Sequence, residues 1–339
     1  MVRSQRKVLI TGITGMVGSH LAEFLLINTD WHIFGMTRWR SPLRNLRNLM
    51  EEVNRSERIT LVEGDLLDQG SLIRVIETSQ PDIIFHLAAQ SFPTASFSSP
   101  AVTLDTNILG TLRLFEAVRM CKLDPIIHCC SSSEVFGRVP SQLVPIKEET
   151  PFHPASPYSI SKIGTDNLGR FYFEAYGMKI LTTRMFTHTG PRRGDVFAES
   201  SFAKQIALAE SGKAPRTINV GNLNSLRTWA DVRDAVRAYY LLVTENPQYG
   251  EAYNIGGSHT ATVGEMLQTL LNLSSIKDFI VRESSSRLRP LDADLQVPDC
   301  NKFKKHTGWE PKFTFEQTMN DLLEFWRQEV RTGEVLYDR

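Results

Sequence analysis

The sequence predicts an α/β fold: a doubly wound parallel sheet with a smaller C-terminal part over its carboxyl edge. Three observations predict it. Short apolar runs recur between residues 8 and 186, and most are followed by apolar residues at helical spacing. The first run ends in a turn carrying Gly12, Gly15 and Gly18, spaced G-x-x-G-x-x-G. The strand–helix alternation then continues with no internal repeat, low-complexity tract or flexible linker, the pattern of right-handed parallel crossovers.

Composition agrees with one large domain or two ordinary ones. The chain has 339 residues, 41% of them hydrophobic and 22% charged, so a packed core is expected and disorder is not. Basic and acidic residues balance at 38 each, which argues against a general nucleic-acid binder. A local basic pocket for an anionic small molecule stays compatible with that balance. Residues 1–10 run directly into the first strand, with no signal-peptide pattern and no stretch of membrane-spanning length. A cytoplasmic protein without membrane or nucleic-acid partners is therefore expected. The spacing of Cys121, Cys129, Cys130 and Cys300 suits neither a zinc site nor a disulfide framework, so buried reduced thiols and no metal are expected.

Val8, Leu9 and Ile10 read as a buried strand, and Leu21, Phe24 and Leu25 mark the helix after the glycine turn. Strand, glycine turn and helix start are the setting of a dinucleotide site. Glycine lets the backbone approach a pyrophosphate, and the helix N-terminus offers N–H groups to it. Gly12, Thr14, Gly15, Met16, Val17 and Gly18 form that turn. The plain alternative is a glycine-rich turn without a ligand.

Residues 31–36 read as the second strand. An acid just beyond it would hold the ribose of NAD; this chain has Arg38 and Arg40 there, then Arg44 and Arg47. Arginine forks onto a 2′-phosphate, which favours NADP; the alternative is a solvated basic loop. Residues 58–66 read as the third strand, ending in Gly64, Asp65 and Leu66. Asp65 could accept from the adenine amino group or cap a helix. Residues 82–89 read as the fourth strand, and the small residues at its end (Ala88 and Ala89, after Leu87) let a cofactor lie close. His86, inside that strand, reads as a packed histidine. Residues 100–120 read as one long helix.

The fifth strand, residues 126–130, runs into Ser131, Ser132, Ser133 and Glu134. Downstream, Tyr158 and Lys162 are four apart at the start of a helix and so share a face. An ammonium beside a phenol favours the phenolate, which makes Tyr158 a candidate for proton transfer near neutral pH. Residues 181–186 read as a sixth strand, 230–242 as a helix, 252–255 as a strand and 315–326 as an amphipathic helix. The expected division is 1–183 with 229–258 returning to it for the cofactor, and 184–228 with 259–339 for the substrate.

These stretches carry a recognisable pattern: T-G-I-T-G-M-V-G at 11–18, G-D-L at 64–66, H-L-A-A at 86–89, S-S-S-E-V-F-G at 131–137, S-P-Y-S-I-S-K at 156–162 and G-W-E-P at 308–311. Over nearly its full length the chain resembles the extended short-chain dehydrogenase/reductases, a Rossmann-fold superfamily, in their nucleotide-sugar branch. Within that branch P-R-R-G at 191–194 and G-N-L-N-S-L-R-T-W at 221–229 look most like the GDP-mannose 4,6-dehydratases. The chain departs from that pattern in having Met16 and Val17 for Gln-Asp, Ser132 for Thr, Thr187 for Asn and Thr228 for Asp.

The resemblance implies NADP-dependent dehydration of a GDP-hexose, GDP-mannose first, with Tyr158 and Lys162 as the proton-transfer pair and Glu134 with Ser132 handling C5 and C6. It implies His188 and Arg193 near the cofactor. It places Gln90, Ser91, Thr187, Lys204, Asn222, Arg227 and Arg289 at the nucleotide-sugar substrate, the cations among them on the diphosphate. A homodimer or homotetramer is expected, because the helices over 100–120 and 157–176 carry apolar residues on more than one face; the loop from Arg38 to Arg47 could reach a neighbour's cofactor site. The alternatives are a 4-reductase of a GDP-4-keto-6-deoxyhexose, a C4 epimerase, or a non-catalytic NADP-sensing protein.

Overall fold

The computed structural model describes residues 5–333 and 335; the outermost residues of the expected domain ranges lie outside these. Along the chain the strands are β1 (Lys7–Thr11), β2 (His32–Thr37), β3 (Ile59–Glu63), β4 (Ile83–His86), β5 (Ile126–Cys130), β6 (Ile180–Met185), β7 (His188–Thr189), β8 (Thr217–Val220), β9 (Leu226–Asp231), β10 (Ala252–Ile255), β11 (His259–Thr262), β12 (Ile280–Glu283) and β13 (Leu295–Gln296). Seven of them form one sheet in the order β10-β6-β5-β4-β1-β2-β3, with every neighbouring pair parallel. The winding direction reverses between β1 and β4, so the strand ends splay there and leave a crevice at the carboxyl edge.

The helices are α1 (Met16–Asn28), α2 (Met50–Arg55), α3 (Gln69–Ser79), α4 (Pro93–Ser98), α5 (Pro100–Leu104), α6 (Gly110–Met120), α7 (Pro157–Tyr176), α8 (Ala198–Glu210), α9 (Val232–Thr244), α10 (Val263–Leu273), α11 (Asn301–Thr307) and α12 (Phe315–Thr332). One face of the sheet is covered through Leu21, Leu25, Val236, Tyr239 and Leu242 of α1 and α9. The other is covered through Leu72, Val75, Leu114, Phe115 and Tyr172 of α3, α6 and α7. A separate core of Phe202, Ile206, Trp229, Met266, Leu322 and Trp326 joins α8, β9, α10 and α12 into a second lobe. Each such fully buried side chain contributes about 1.5–3 kcal/mol of transfer free energy. Trp309 of the G-W-E-P stretch is fully buried, and its indole N–H donates to the Asp234 carbonyl at 3.1 Å, tying the tail to α9. Among the described residues no helix is long and apolar enough to cross a membrane.

Three local differences from the sequence reading have physical causes. The fourth strand stops at His86 because the Leu87 and Ala88 N–H groups donate to the Thr11 hydroxyl, at 3.0 and 3.1 Å, instead of continuing the ladder. The helix over 100–120 is interrupted by a π-helical turn at Asp105–Leu109, which turns Asn107 into the protein. The last helix continues to Thr332 and ends at Gly333, whose φ is 76°. The helix carrying Tyr158 is well punctuated: Ser156 caps it by accepting from Ser159 N–H, Pro157 opens it, and Gly177 at φ 67° closes it.

Candidate active site

The glycine turn lies in the crevice between β1 and β4. Gly12 has φ +75°, and a Cβ there would stand 2.9 Å from the Ala88 Cα; one on Gly18 would stand 2.4 Å from the Gly12 carbonyl oxygen. The turn therefore folds flat on the end of β4, with α1 packed directly on it. The first turn of α1 has neither a side-chain cap nor an acidic residue, so its N–H groups and partial positive charge are left for an anion. That cradle fits a dinucleotide pyrophosphate. Asn45 braces it by donating to the Thr14 carbonyl at 2.9 Å.

Beyond β2 the arginines divide. Arg38 is exposed, and Arg40 stacks 4.4 Å from the ring of the exposed Trp39. Arg44 and Arg47, by contrast, pair with Glu329 on α12, and Arg44 also lies over the rings of Phe325 and Trp326. The alternative of a solvated basic loop fails for the second half of this stretch: Leu46 and Leu49 are buried, and Arg44 and Arg47 are clasped by the C-terminal helix. Asp65 caps no helix. It accepts from Leu67 N–H at 3.0 Å, and Asp68 is the cap of α3. Leu66 is buried against Gly110.

His86 is a packed histidine. It bonds Thr11 through Nδ1 and Thr111 through Nε2, both at 3.0 Å. The Thr111 hydroxyl donates to the Asn107 carbonyl, so it accepts from Nε2–H, and Nδ1 accepts from Thr11. Burial, with Lys162 nearby, pulls its pKa down to about 3.

The catalytic candidates converge at the end of β5. Ser132 caps a short helical turn by accepting from Glu134 N–H at 3.2 Å. Tyr158 is buried; its N–H donates to the Ser96 hydroxyl on α4 at 3.1 Å. Lys162 is buried one turn along α7. Its Nζ donates to the Cys130 carbonyl at 2.7 Å and lies 6.0 Å from the Tyr158 ring centre. Burial raises the Tyr158 pKa above its usual value, while Lys162 and a hydrogen bond with Ser132 oppose the rise and Cys130 and Glu134 add to it. The expected lowering of the phenol is thus corrected: desolvation outweighs the lysine in this arrangement. Asn107, which sequence reasoning missed, braces the site. Its side-chain oxygen accepts from Gln90 N–H at 2.8 Å, and its amide donates to the Gln90 carbonyl at 3.0 Å and the Ser161 hydroxyl at 2.8 Å. The only signal for it was a polar residue inside an apolar helical run.

On the facing lobe, Arg227 of β9 places Nη1 3.7 Å from the Glu134 carboxylate, and both side chains are 13% exposed. Lys204 is buried on Asp195 at 2.9 Å, Arg193 pairs with Glu199 at 3.0 Å and stacks on Phe197, and Arg289 lies 3.4 Å from Asp292. His188 bonds the Phe186 carbonyl through Nδ1, and burial with Arg193 holds its pKa down at about 4. The loop at 191–193 is strapped to α1 by Arg192–Glu23 and by His20 on the Pro191 carbonyl.

A family model, GDP-mannose 4,6 dehydratase, matches residues 9–322. The chain belongs to the GDP-mannose 4,6-dehydratase family. A Yersinia enterocolitica GDP-mannose 4,6-dehydratase is 32% identical, over 94% of this chain and 93% of the relative. A Pseudomonas aeruginosa GDP-6-deoxy-D-mannose reductase is 28% identical, over 96% and 99%. The solved structure of RMD from Pseudomonas aeruginosa complexed with NADPH superposes with TM-score 0.80 at 26% identity, over 95% of this chain and 99% of that one. Members of the dehydratase family are lyases that act on nucleotide sugars, and the solved neighbour is complexed with NADPH.

Several residues expected to meet the substrate of this dehydratase-family member are otherwise engaged. The Gln90 amide curls onto residue 92, bonding its N–H and carbonyl at 2.9 and 3.1 Å. The Asn222 amide donates to Ser225, Asp292 and Asp294. Thr187 accepts from Ala230 N–H through its main chain, and Ser91 is exposed.

Proposed function

We propose that the chain dehydrates a GDP-hexose, GDP-mannose first, to the GDP-4-keto-6-deoxyhexose with NADP. The observation that carries this is the grouping of Ser132, Glu134, Tyr158 and Lys162 at one strand end. A C4 epimerase has no use for an acid at that position. A bound NADP would supply the hydride chemistry, acceptance from C4 and return to C6, which no side chain here can provide. Tyr158 removes the C4 hydroxyl proton, with the Lys162 ammonium working against the burial that raises its pKa. The resulting ketone acidifies C5, whose proton passes to Glu134. Ser132 and Glu134 deliver a proton to the C6 hydroxyl as it departs as water, and C5 regains a proton from solvent. Arg38, exposed where an acid would select NAD, supports NADP, as does the NADPH-bound neighbour.

The reductase relative favours a second reading, net reduction of a 4-keto sugar. Incubation with GDP-mannose and a trace of NADP⁺ separates the two. A product lighter by one water without net cofactor turnover supports dehydration. Stoichiometric NADPH consumption on a 4-keto substrate, with no water lost from GDP-mannose, supports reduction.

The proposal extends to a cytoplasmic homodimer or homotetramer, with cofactor and substrate lobes divided as the sequence suggests. Val102, Leu109, Ile160 and Phe171 are exposed on the adjoining α5–α6 and α7 segments, a surface suited to a two-fold four-helix contact. Light scattering giving a monomer near 38.4 kDa would sink that part.

A further inference from the structure

Glu329 lies near the C-terminal end of α12, in the second lobe, and is buried. Its helix is fixed there. Trp326 and Val330 belong to the second core, and the Trp326 indole N–H donates to the Ser200 hydroxyl on α8 at 2.8 Å. The partners of the Glu329 carboxylate come from the other lobe. Arg44 Nη2 pairs with its Oε2, and Arg47 Nη1 lies 3.4 Å from its Oε1. The Arg44 guanidinium also stands 5.9 Å from the Phe325 ring centre and 5.6 Å from that of Trp326.

The next residue, Asn45, reaches the opposite way. Its amide donates to the Thr14 carbonyl at 2.9 Å, inside the glycine turn. Leu46 and Leu49 then anchor in the cofactor-lobe core. Residues 44–49 thus bridge a fixed post on α12 and the turn that suits a pyrophosphate. The exposed Arg38 hangs from that bridge in a small turn: its N–H donates to the Ser41 hydroxyl at 3.2 Å, and Ser41 N–H donates to its carbonyl at 2.8 Å. A buried ion pair contributes little net stability compared with a well-packed apolar replacement, so its use here points to placement.

We propose that Glu329 is a positioning residue of the cofactor site. From the second lobe it holds residues 44–49, and through them Thr14 and the Arg38 turn, in the shape that receives the dinucleotide. This deepens the NADP reading and rests on it for the part played by Arg38. The same contacts would suit an opposite role, in which Arg44 and Arg47 leave Glu329 for the 2′-phosphate and the carboxylate competes with the cofactor. Glu329→Gln separates the two roles by sign, because it keeps the size of the side chain and removes the carboxylate.

NADP and NAD affinities are measured by fluorescence titration, and amide exchange is followed in the ligand-free protein. Positioning predicts NADP about tenfold weaker in Glu329→Gln, since the loop must then be ordered at the cofactor's expense. Exchange across 44–49 should quicken, with α8 protected as in wild type. Arg44→Gln, which leaves α12 untouched, should quicken exchange across 44–49 in the same way, and it decides the matter if Glu329→Gln folds poorly. In the double variant the NADP loss should not exceed the larger single loss, because both act through one clasp. Tighter or unchanged NADP binding in Glu329→Gln, additive losses, or loosening that spreads to α8 overturns the proposal. A wild type that prefers NAD overturns the NADP reading, whereas the same titrations with NAD still decide Glu329.

Discussion

On the proposed division of lobes, the cofactor lobe would present backbone to phosphate: the uncapped first turn of α1, shaped by Gly12 and Gly18, with no acid in that turn. The sugar lobe presents side chains, and most of its cations already hold acids, such as Lys204 on Asp195 and Arg289 on Asp292. The first kind of site is a shape, so it is lost when the backbone cannot turn. The second is a set of exchangeable charge pairs, so ligand binding there must trade one anion for another. Substitutions in the two lobes should therefore fail differently.

Acid separates them most strongly. In the cofactor lobe, His20, His86 and His128 have folded pKa values near 3 to 4, chiefly through burial, against 6.5 when free. The unfolded chain binds the extra protons, so stability falls as pH drops below 6.5. At pH 5.5 the cost is about 1.4 kcal/mol for each such group. In the sugar lobe, burial works against Glu210, but hydrogen bonds from Arg327, Ser275 N–H and Ser274 outweigh it and hold its pKa at about 2. That contribution is present above about 4.5 and fades only toward pH 2. Amide exchange at pH 5.5 should therefore show β1, β4 and β5 opening before α8 and α12. Uniform loss of protection would break the contrast.

Gly12→Ala should come next. A side chain at φ +75°, pressed on Ala88, should cut NADP affinity by about a hundredfold, with GDP affinity unchanged; fluorescence titration of both ligands checks it. The smallest effect belongs to the exposed Arg38. Arg38→Ala should weaken NADP about tenfold and NAD hardly at all. Equal loss for both would remove the 2′-phosphate from its role.

Much of the cofactor lobe was legible because its signals are local. Val8 to Ile10, the three glycines and the small residues after β4 lie in short stretches whose backbone geometry follows from residue type. The pair of Tyr158 and Lys162 was legible through helical spacing. What the sequence hid depends on folding distant segments together. Arg44 and Arg47 meet Glu329 only because α12 returns over the cofactor lobe. Arg227 meets Glu134 only because β9 crosses to the end of β5. Gln90 folding onto residue 92, and Asn107 turning inward at a π-helical turn, are local events with no compositional signature. The Tyr158 pKa was misjudged for a related reason: helical spacing reveals the neighbouring charge, not the depth of burial that opposes it.

The most direct test of the central claim is deuterium release from C5-deuterated GDP-mannose, comparing wild type with Glu134→Gln in the presence of NADP⁺. Dehydration predicts that wild type passes the deuterium to water and yields a product lighter by one water. It also predicts that Glu134→Gln, still binding GDP and NADP, does neither. A wild type that leaves the C5 deuterium in place, or a Glu134→Gln variant that dehydrates at the wild-type rate, would contradict the account.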